Sequence, residues 1–285
     1  MKSQTRPAAN GPFLIDAHVH FYPCYRPEPF LDGALANFRL HGARLGVDAY
    51  APSFLLLTET AEDHWFRELR EATARPAGAW TLRTTNDDCS LIASRGIGER
   101  IVIVAGRQIA TRDGLEVLAV GLDDDLPDGQ PLRRTIERVV ARGALPVIPW
   151  GFGKWWFHRG HLVRGLLEWP PRGVLFLGDN GGRPHGLGTP SLFELAGERG
   201  VWTLPGSDPL PFPSHERRAG SHGFALDAPL DLDRPGESLK AQLRELDAQP
   251  RAYGAGAALR AFLVHQVVLQ VRKRGRIARR LLAPR

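Results

Sequence analysis

The segment Leu14-Ile15-Asp16-Ala17-His18-Val19-His20 offers the sharpest chemistry in the chain. Read as a strand, its period of two puts Leu14, Asp16, His18 and His20 on one face, and Phe13, Ile15, Ala17 and Val19 on the other, packed under helices. Two imidazoles at alternate positions of a strand end can offer two nitrogens to one cation, and imidazole suits Zn, Fe, Mn or Ni. Asp16 would then serve as an acceptor behind one imidazole. The alternative is a buried histidine pair satisfied by backbone carbonyls. Far along the chain, Leu204-Pro205-Gly206-Ser207-Asp208-Pro209 ends an apolar strand on a carboxylate that can ligate a metal or take a proton from a water the metal acidifies. An Asx turn before Pro209 is the plain reading of the same residues.

Other groups are placed less firmly. His158 and His161 stand three apart beside Trp155, Trp156 and Phe157, so they are as well explained by a packed loop as by a ligand pair. His185 and His222 lie in glycine-rich loops, from which they can approach a strand-end site as general acids. Gly151-Phe152-Gly153-Lys154 follows an apolar strand, and its N–H groups and ammonium can hold an anion, with Arg107 and Arg183 adding to the clamp.

Short apolar runs position these groups. Strands are expected at Phe13–His20, Ser53–Thr58, Trp80–Thr84, Ile101–Gln108 with a hairpin partner Leu115–Gly121, Leu145–Trp150, Val174–Leu177 and Val201–Pro205. Helical patterns lie between them at Phe30–Leu45, Ala61–Ala74, Pro131–Arg142, His161–Glu168 and Ser191–Arg199. Ala255–Leu282 reads as a long closing helix, and Asp227–Gln249 as an acidic, proline-flanked excursion. Alternating strands and helices leave an open doubly wound sheet or a closed barrel. The first strand runs into histidines and lacks the glycine-rich turn of a dinucleotide site. The strand ends carry His18, His20, Glu59, Gln108, Asp179 and Asp208, a ring that suits a barrel mouth. The expected fold is therefore α/β, a distorted TIM-like (βα)7 barrel with a long C-terminal helix, in a single domain over residues 1–285 whose first 11 residues are flexible.

The Asp-x-His-x-His strand, the strand ending Leu57-Thr58-Glu59-Thr60, the Ala105-Gly106-Arg107-Gln108-Ile109 segment with its Gly114–Gly121 hairpin, and the final Gly-Ser-Asp together resemble the polymerase and histidinol phosphatase (PHP) superfamily. More broadly, the first and last motifs resemble metal-dependent amidohydrolase-like barrels. The PHP resemblance implies a distorted seven-stranded α/β barrel that hydrolyses phosphoesters with one to three metals. Departures from the pattern are specific: Thr58-Glu59-Thr60 stands for Thr-Asp-His, Gly106-Arg107-Gln108 for Gly-x-Glu, Pro149-Trp150-Gly151 for Ala-His-Pro, and Pro209 follows the last aspartate where a histidine is usual. A trinuclear site cannot be built from what remains. The expectation is one divalent metal (Zn, Mn or Fe) on His18, His20 and Asp208, with Glu59 or Asp179 completing the set, or no metal if the site is degenerate. The implied activity is a phosphoesterase with a single-metal-activated water, using Asp208, His185 or His222 for proton transfer and Lys154, Arg107 and Arg183 for a small anionic substrate. Two other readings stand beside it: a degenerate barrel that binds a ligand or a protein, and an amidohydrolase acting on a C–N bond.

Composition bounds these readings. The chain has 285 residues, 43% of them hydrophobic and 24% charged, which excludes disordered and fibrous classes. No apolar run approaches the roughly 18 residues of a membrane span, and no secretory signal is visible, so a cytoplasmic location is expected. Cys24 and Cys89 have no partner spacing for a disulfide framework or zinc knuckle. Seven basic groups between Arg272 and Arg285 account for all of the formal +6 charge, leaving a near-neutral body. That tail can contact nucleic acid or an acidic partner, or simply complement a helix dipole.

Overall fold

The computed structural model of the chain describes residues 9–71, 77–169, 174–184 and 188–254. His185, the closing helix and basic tail expected over 255–285, and residues 1–8 of the expected flexible N-terminus lie outside them.

Twelve strands form two sheets among the described residues. The first sheet has seven: β1 (Phe13–Val19), β2 (Ser53–Leu57), β3 (Thr81–Thr84), β4 (Ser90–Arg95), β5 (Glu99–Val104), β11 (His222–Leu226) and β12 (Arg251–Gly254), in the order β12-β11-β1-β2-β5-β4-β3. The second has five: β6 (Gly106–Ala110), β7 (Glu116–Val120), β8 (Leu145–Pro149), β9 (Phe176–Asn180) and β10 (Thr203–Gly206), in the order β10-β9-β8-β7-β6. β1, β2 and β5 run parallel, as do β8, β9 and β10, and the remaining pairings are antiparallel. Helices α1 (Pro27–Leu45), α2 (Trp65–Glu71), α3 (Leu132–Ala141), α4 (His158–Glu168), α5 (Ser191–Glu198) and α6 (Pro235–Arg244) complete the described elements. None is long and apolar enough to cross a membrane.

The expected TIM-like barrel is therefore incorrect: the fold is two open mixed sheets. The reason lies in the pairing of β1 and β2. A closed barrel needs the last strand to ladder with β1, but β1 is flanked by β2 on one side and antiparallel β11 on the other. β2 is likewise enclosed between β1 and β5. The expected strand Ile101–Gln108 breaks at Ala105, and its halves enter different sheets. Backbone hydrogen bonds join the sheets at two seams among the described residues. At one, Asp208 N–H donates to the His18 carbonyl at 2.9 Å; at the other, Glu59 N–H donates to Gly106 and Gln108 N–H to Glu59.

Both seams run past a glycine because the backbones approach too closely for a side chain. A Cβ on Gly206 would lie 2.3 Å from the His18 nitrogen, and one on Gly106 would lie 2.0 Å from the Leu57 carbonyl oxygen. Gly206→Ala should therefore force β10 off β1. The expected loss is about 2–3 kcal/mol in urea denaturation, with metal uptake weakened because Asp208 moves with the seam.

The core has three apolar clusters. Phe13, Ile15 and Ala17 meet Val104, Leu118, Phe176 and Leu204 between the sheets, with Leu239 and Leu243 of α6 added. Leu14 and Val19 face the opposite side with Phe30, Phe38 and Phe66 of α1 and α2, while α3, α4 and α5 cover the second sheet. Val19 thus changes faces relative to simple alternation. The β1–β2 register shifts between Asp16 and Val19, and one irregularity there reverses the parity of every later residue.

Cys89 belongs to the cluster under α1 and α2, and its thiol is pushed up to about 12 by burial first and then by the Asp87 charge. Cys24 is exposed. A disulfide reagent at pH 8 should accordingly label one thiol per native chain and both after unfolding in guanidinium. Rapid labelling of both thiols in the native chain would contradict this packing.

Candidate metal centre

The irregularity in β1 turns His18 and His20 toward the end of β10. Their Nε2 atoms lie 3.2 Å apart, and Asp208 Oδ1 stands 3.7 Å from the first and 3.8 Å from the second. A point in the plane of the three atoms and equidistant from them lies about 2.1 Å from each, which is the zinc–imidazole and zinc–carboxylate distance. Among the described residues these three side chains form the group of histidine, cysteine and acidic ligands close enough to share one ion. They fit a divalent cation on two nitrogens and one carboxylate oxygen.

The electrostatics agree with that fit. Burial, followed by the neighbouring His18, lowers His20 to about 4, so at neutral pH its ring is uncharged. Burial alone would push the Asp208 carboxyl up, but His18, His20, Lys154 and Arg218 together hold it below the ordinary carboxylate value. Asp208 adopts a left-handed backbone with φ of 46°, a conformation aspartate tolerates better than most residues. Its N–H bond to His18 fixes that turn. Tyr22 stacks on His20 with ring centroids 5.4 Å apart, and the Thr58 hydroxyl lies 3.4 Å from His20 Nε2.

Asp16 does not stand behind an imidazole as expected. It accepts backbone N–H bonds from Ser207 at 2.8 Å, Gly220 at 2.7 Å and His18 at 3.3 Å, tying β1 to the turn that carries Asp208 and to the approach to β11. Burial pushes its carboxyl up to about 7 against those bonds. His18 Nδ1 is left buried without a hydrogen-bond partner. Metal-bound imidazoles usually donate their second N–H to an acceptor, and losing that support costs roughly 10- to 100-fold in affinity.

The other expected ligands are engaged elsewhere. Glu59 accepts the Phe66 N–H at 2.8 Å and pairs with Arg107 at 3.4 Å, both side chains being buried, and burial pushes its carboxyl up to about 7. Asp179 receives a two-pronged ion pair from Arg183 at 2.8 and 2.7 Å. Arg107, expected in the anion clamp, also donates to the Asp63 and Thr60 carbonyls at 2.8 Å and meets Asp125 at 3.1 Å. Lys154 pairs with Glu116 while half-exposed, and its charge is felt at Asp208. His222 opens β11 with its Nδ1 buried and unpartnered; burial lowers its pKa, and the nearest charges it feels are Asp179, Arg183 and Arg218. His158 and His161 are exposed on α4.

Four residues near the centre escape the sequence reading: Tyr22, Asp63, Glu116 and Arg218. Asp63 and Glu116 both raise His20 through their fields. Arg218 is drawn down by burial and donates to the Ser207 and Gly181 carbonyls at 3.1 and 2.6 Å, so it supports the Asp208 turn. Only Glu116 had a visible signal, an acid within the hairpin's apolar run.

No family model and no curated protein matches the chain. Among solved structures, it is similar to PsfC from Pseudomonas syringae PB-5123, with a TM-score of 0.55 and 14% identity over 90% of this chain and 98% of that one. It also aligns with the lesion-specific endonuclease PfuEndoQ from Pyrococcus furiosus at a TM-score of 0.45 and 13% identity, covering 84% of this chain and 57% of that one. The likeness to PsfC is one of fold, established over nearly the whole of both chains.

Proposed function

We propose that the chain is a metal-dependent hydrolase acting on a phosphoester, with one divalent cation held by His18 Nε2, His20 Nε2 and Asp208 Oδ1. The observation that carries this reading is the convergence of those three atoms on a gap of ionic size from positions far apart in the chain. The resemblance of the first strand and the final Gly-Ser-Asp to the PHP superfamily supports the phosphoester in preference to a C–N bond. A bound cation supplies Lewis acidity and lowers the pKa of a coordinated water toward ~7. Two histidines and one carboxylate leave coordination positions open.

The chain's own residues hold the geometry. Asp16 locks the His18 backbone to the Ser207 N–H, and Arg218 steadies the same turn through the Ser207 and Gly181 carbonyls. Tyr22 limits rotation of His20. Lys154, half-exposed and with a charge felt at Asp208, exchanges its Glu116 partner for an oxygen of an anionic ester.

Diversion of Glu59 and Asp179 into ion pairs also favours a second reading, a site that binds its ligand without turning it over. Turnover separates the two. Protein stripped with a chelator and reloaded with Zn, Mn or Fe(II) should hydrolyse p-nitrophenyl phosphate in proportion to bound metal, and should leave p-nitrophenyl acetate and p-nitroanilides at the background rate. Stoichiometric metal without phosphate release would leave only the binding reading.

A further inference from the structure

A cleft of about 320 Å³ at the ends of β8 and β9 is lined by Trp150, Phe152, Trp155 and Trp156, with Arg183, Pro190 and Leu192 among its other walls. Its place follows from sheet register. Gly206, two residues before Asp208, is paired with Asn180 of β9, and the Asn180 side-chain amide donates to the Trp150 carbonyl at 3.0 Å. Trp150 follows β8, so it stands two strand spacings from Gly206, about 10 Å. Lys154, whose charge reaches Asp208, is in the same loop as the aromatics.

Two features of this loop are unusual for packing alone. Phe152 and Trp156 are 42% and 54% exposed, with their rings in edge contact at 5.0 Å. Phe157 holds a positive φ of 54°, a strained conformation for a bulky residue that is retained where surroundings or function require it. An aromatic wall of this kind matches a flat ring, since offset and edge contacts between rings add to the apolar burial.

We infer that the substrate is an anionic ester bearing a flat aromatic group, and that the Trp150–Trp156 cleft seats this group while the anion lies at the metal centre. The inference rests on the phosphoester reading for the anion, and on the cleft itself for the ring.

The test uses two esters with alkoxide leaving groups of the same kind, 3-phenylpropyl phosphate and propyl phosphate. Each is titrated into the full chain loaded with Mn²⁺, with binding followed by calorimetry and turnover by phosphate release. The phenyl ester should bind about 10- to 100-fold tighter. In a Phe152→Ala/Trp156→Ala variant, whose substituted side chains are solvent-exposed, that ratio should fall to within about twofold of unity. Equal affinity of the two esters, a ratio that survives in the variant, or no binding of either would overturn the assignment. Ring-dependent binding without phosphate release would keep the cleft and reject the hydrolase. Release from both esters at equal KM would do the reverse.

Discussion

Replacing both His18 and His20 by alanine should reduce bound metal from one equivalent to less than a tenth and lower phosphate release by at least ~10³-fold, the effect of losing several kcal/mol of cation-derived stabilisation. The chain should keep its far-ultraviolet circular dichroism and a cooperative thermal transition. Neither imidazole stitches the backbone: their Nε2 atoms face one another and Asp208, and His18 Nδ1 has no partner to lose. Metal retained at near-stoichiometric levels in the folded double variant would place the cation elsewhere.

The second large effect falls on stability. Arg107→Ala should destabilise the fold by about 3–5 kcal/mol in urea denaturation, because it leaves the Glu59 carboxylate buried without its cation and orphans the Thr60 and Asp63 carbonyls. Removing both partners, as Glu59→Met/Arg107→Met, should recover part of that loss, the coupling expected of two groups in one network. Glu59 also sets a pH dependence. Its carboxyl is raised from 4.5 to about 7 in the fold, so the folded chain holds this proton more tightly than the unfolded chain does. The stability it contributes is complete below about pH 4.5 and declines as pH rises to 7. The stability of the wild-type chain relative to Glu59→Gln should therefore be greater at pH 5 than at pH 7.5. An unchanged difference would mean that Glu59 is ionised at both.

Residue type at the strand ends made the first strand, His18, His20 and Asp208 legible in the sequence, although the irregularity in β1 puts the two histidines on the face opposite Leu14, whereas alternation had them together. The closed barrel was not there to read. Its exclusion depends on β11, whose His222-Gly223-Phe224-Ala225-Leu226 has a glycine in place of a continuous apolar run, and on β12, four residues long with little apolar content. β4 likewise escaped notice between polar flanks, and α6 sits inside the acidic, proline-flanked excursion Asp227–Gln249, to which no element was assigned. The break at Ala105 has one local signal, the adjoining Gly106, which marks a close backbone approach but does not say that the two halves join different sheets.

The site shows the same division between local and long-range information. Residue type marked Glu59 and Asp179 as completing the ligand set, whereas the structure pairs each with an arginine. For Asp179 the four-residue spacing to Arg183 was a readable clue; for Glu59 the partner is 48 residues away, and only the seam between β2 and β6 brings it close. Asp16 was correctly drawn to the site but not to its task there. A carboxylate that receives three backbone N–H groups from separate segments depends on a topology that alternation along one strand cannot reveal.

Crystals of the chain grown with Zn²⁺ and measured on either side of the zinc absorption edge decide whether the three side chains hold a cation. One anomalous peak per chain is expected, about 2.1 Å from Nε2 of His18, Nε2 of His20 and the nearer Asp208 carboxylate oxygen. Zinc bound only at other residues, with the His18 and His20 nitrogens still 3.2 Å apart and no peak between them, would contradict it.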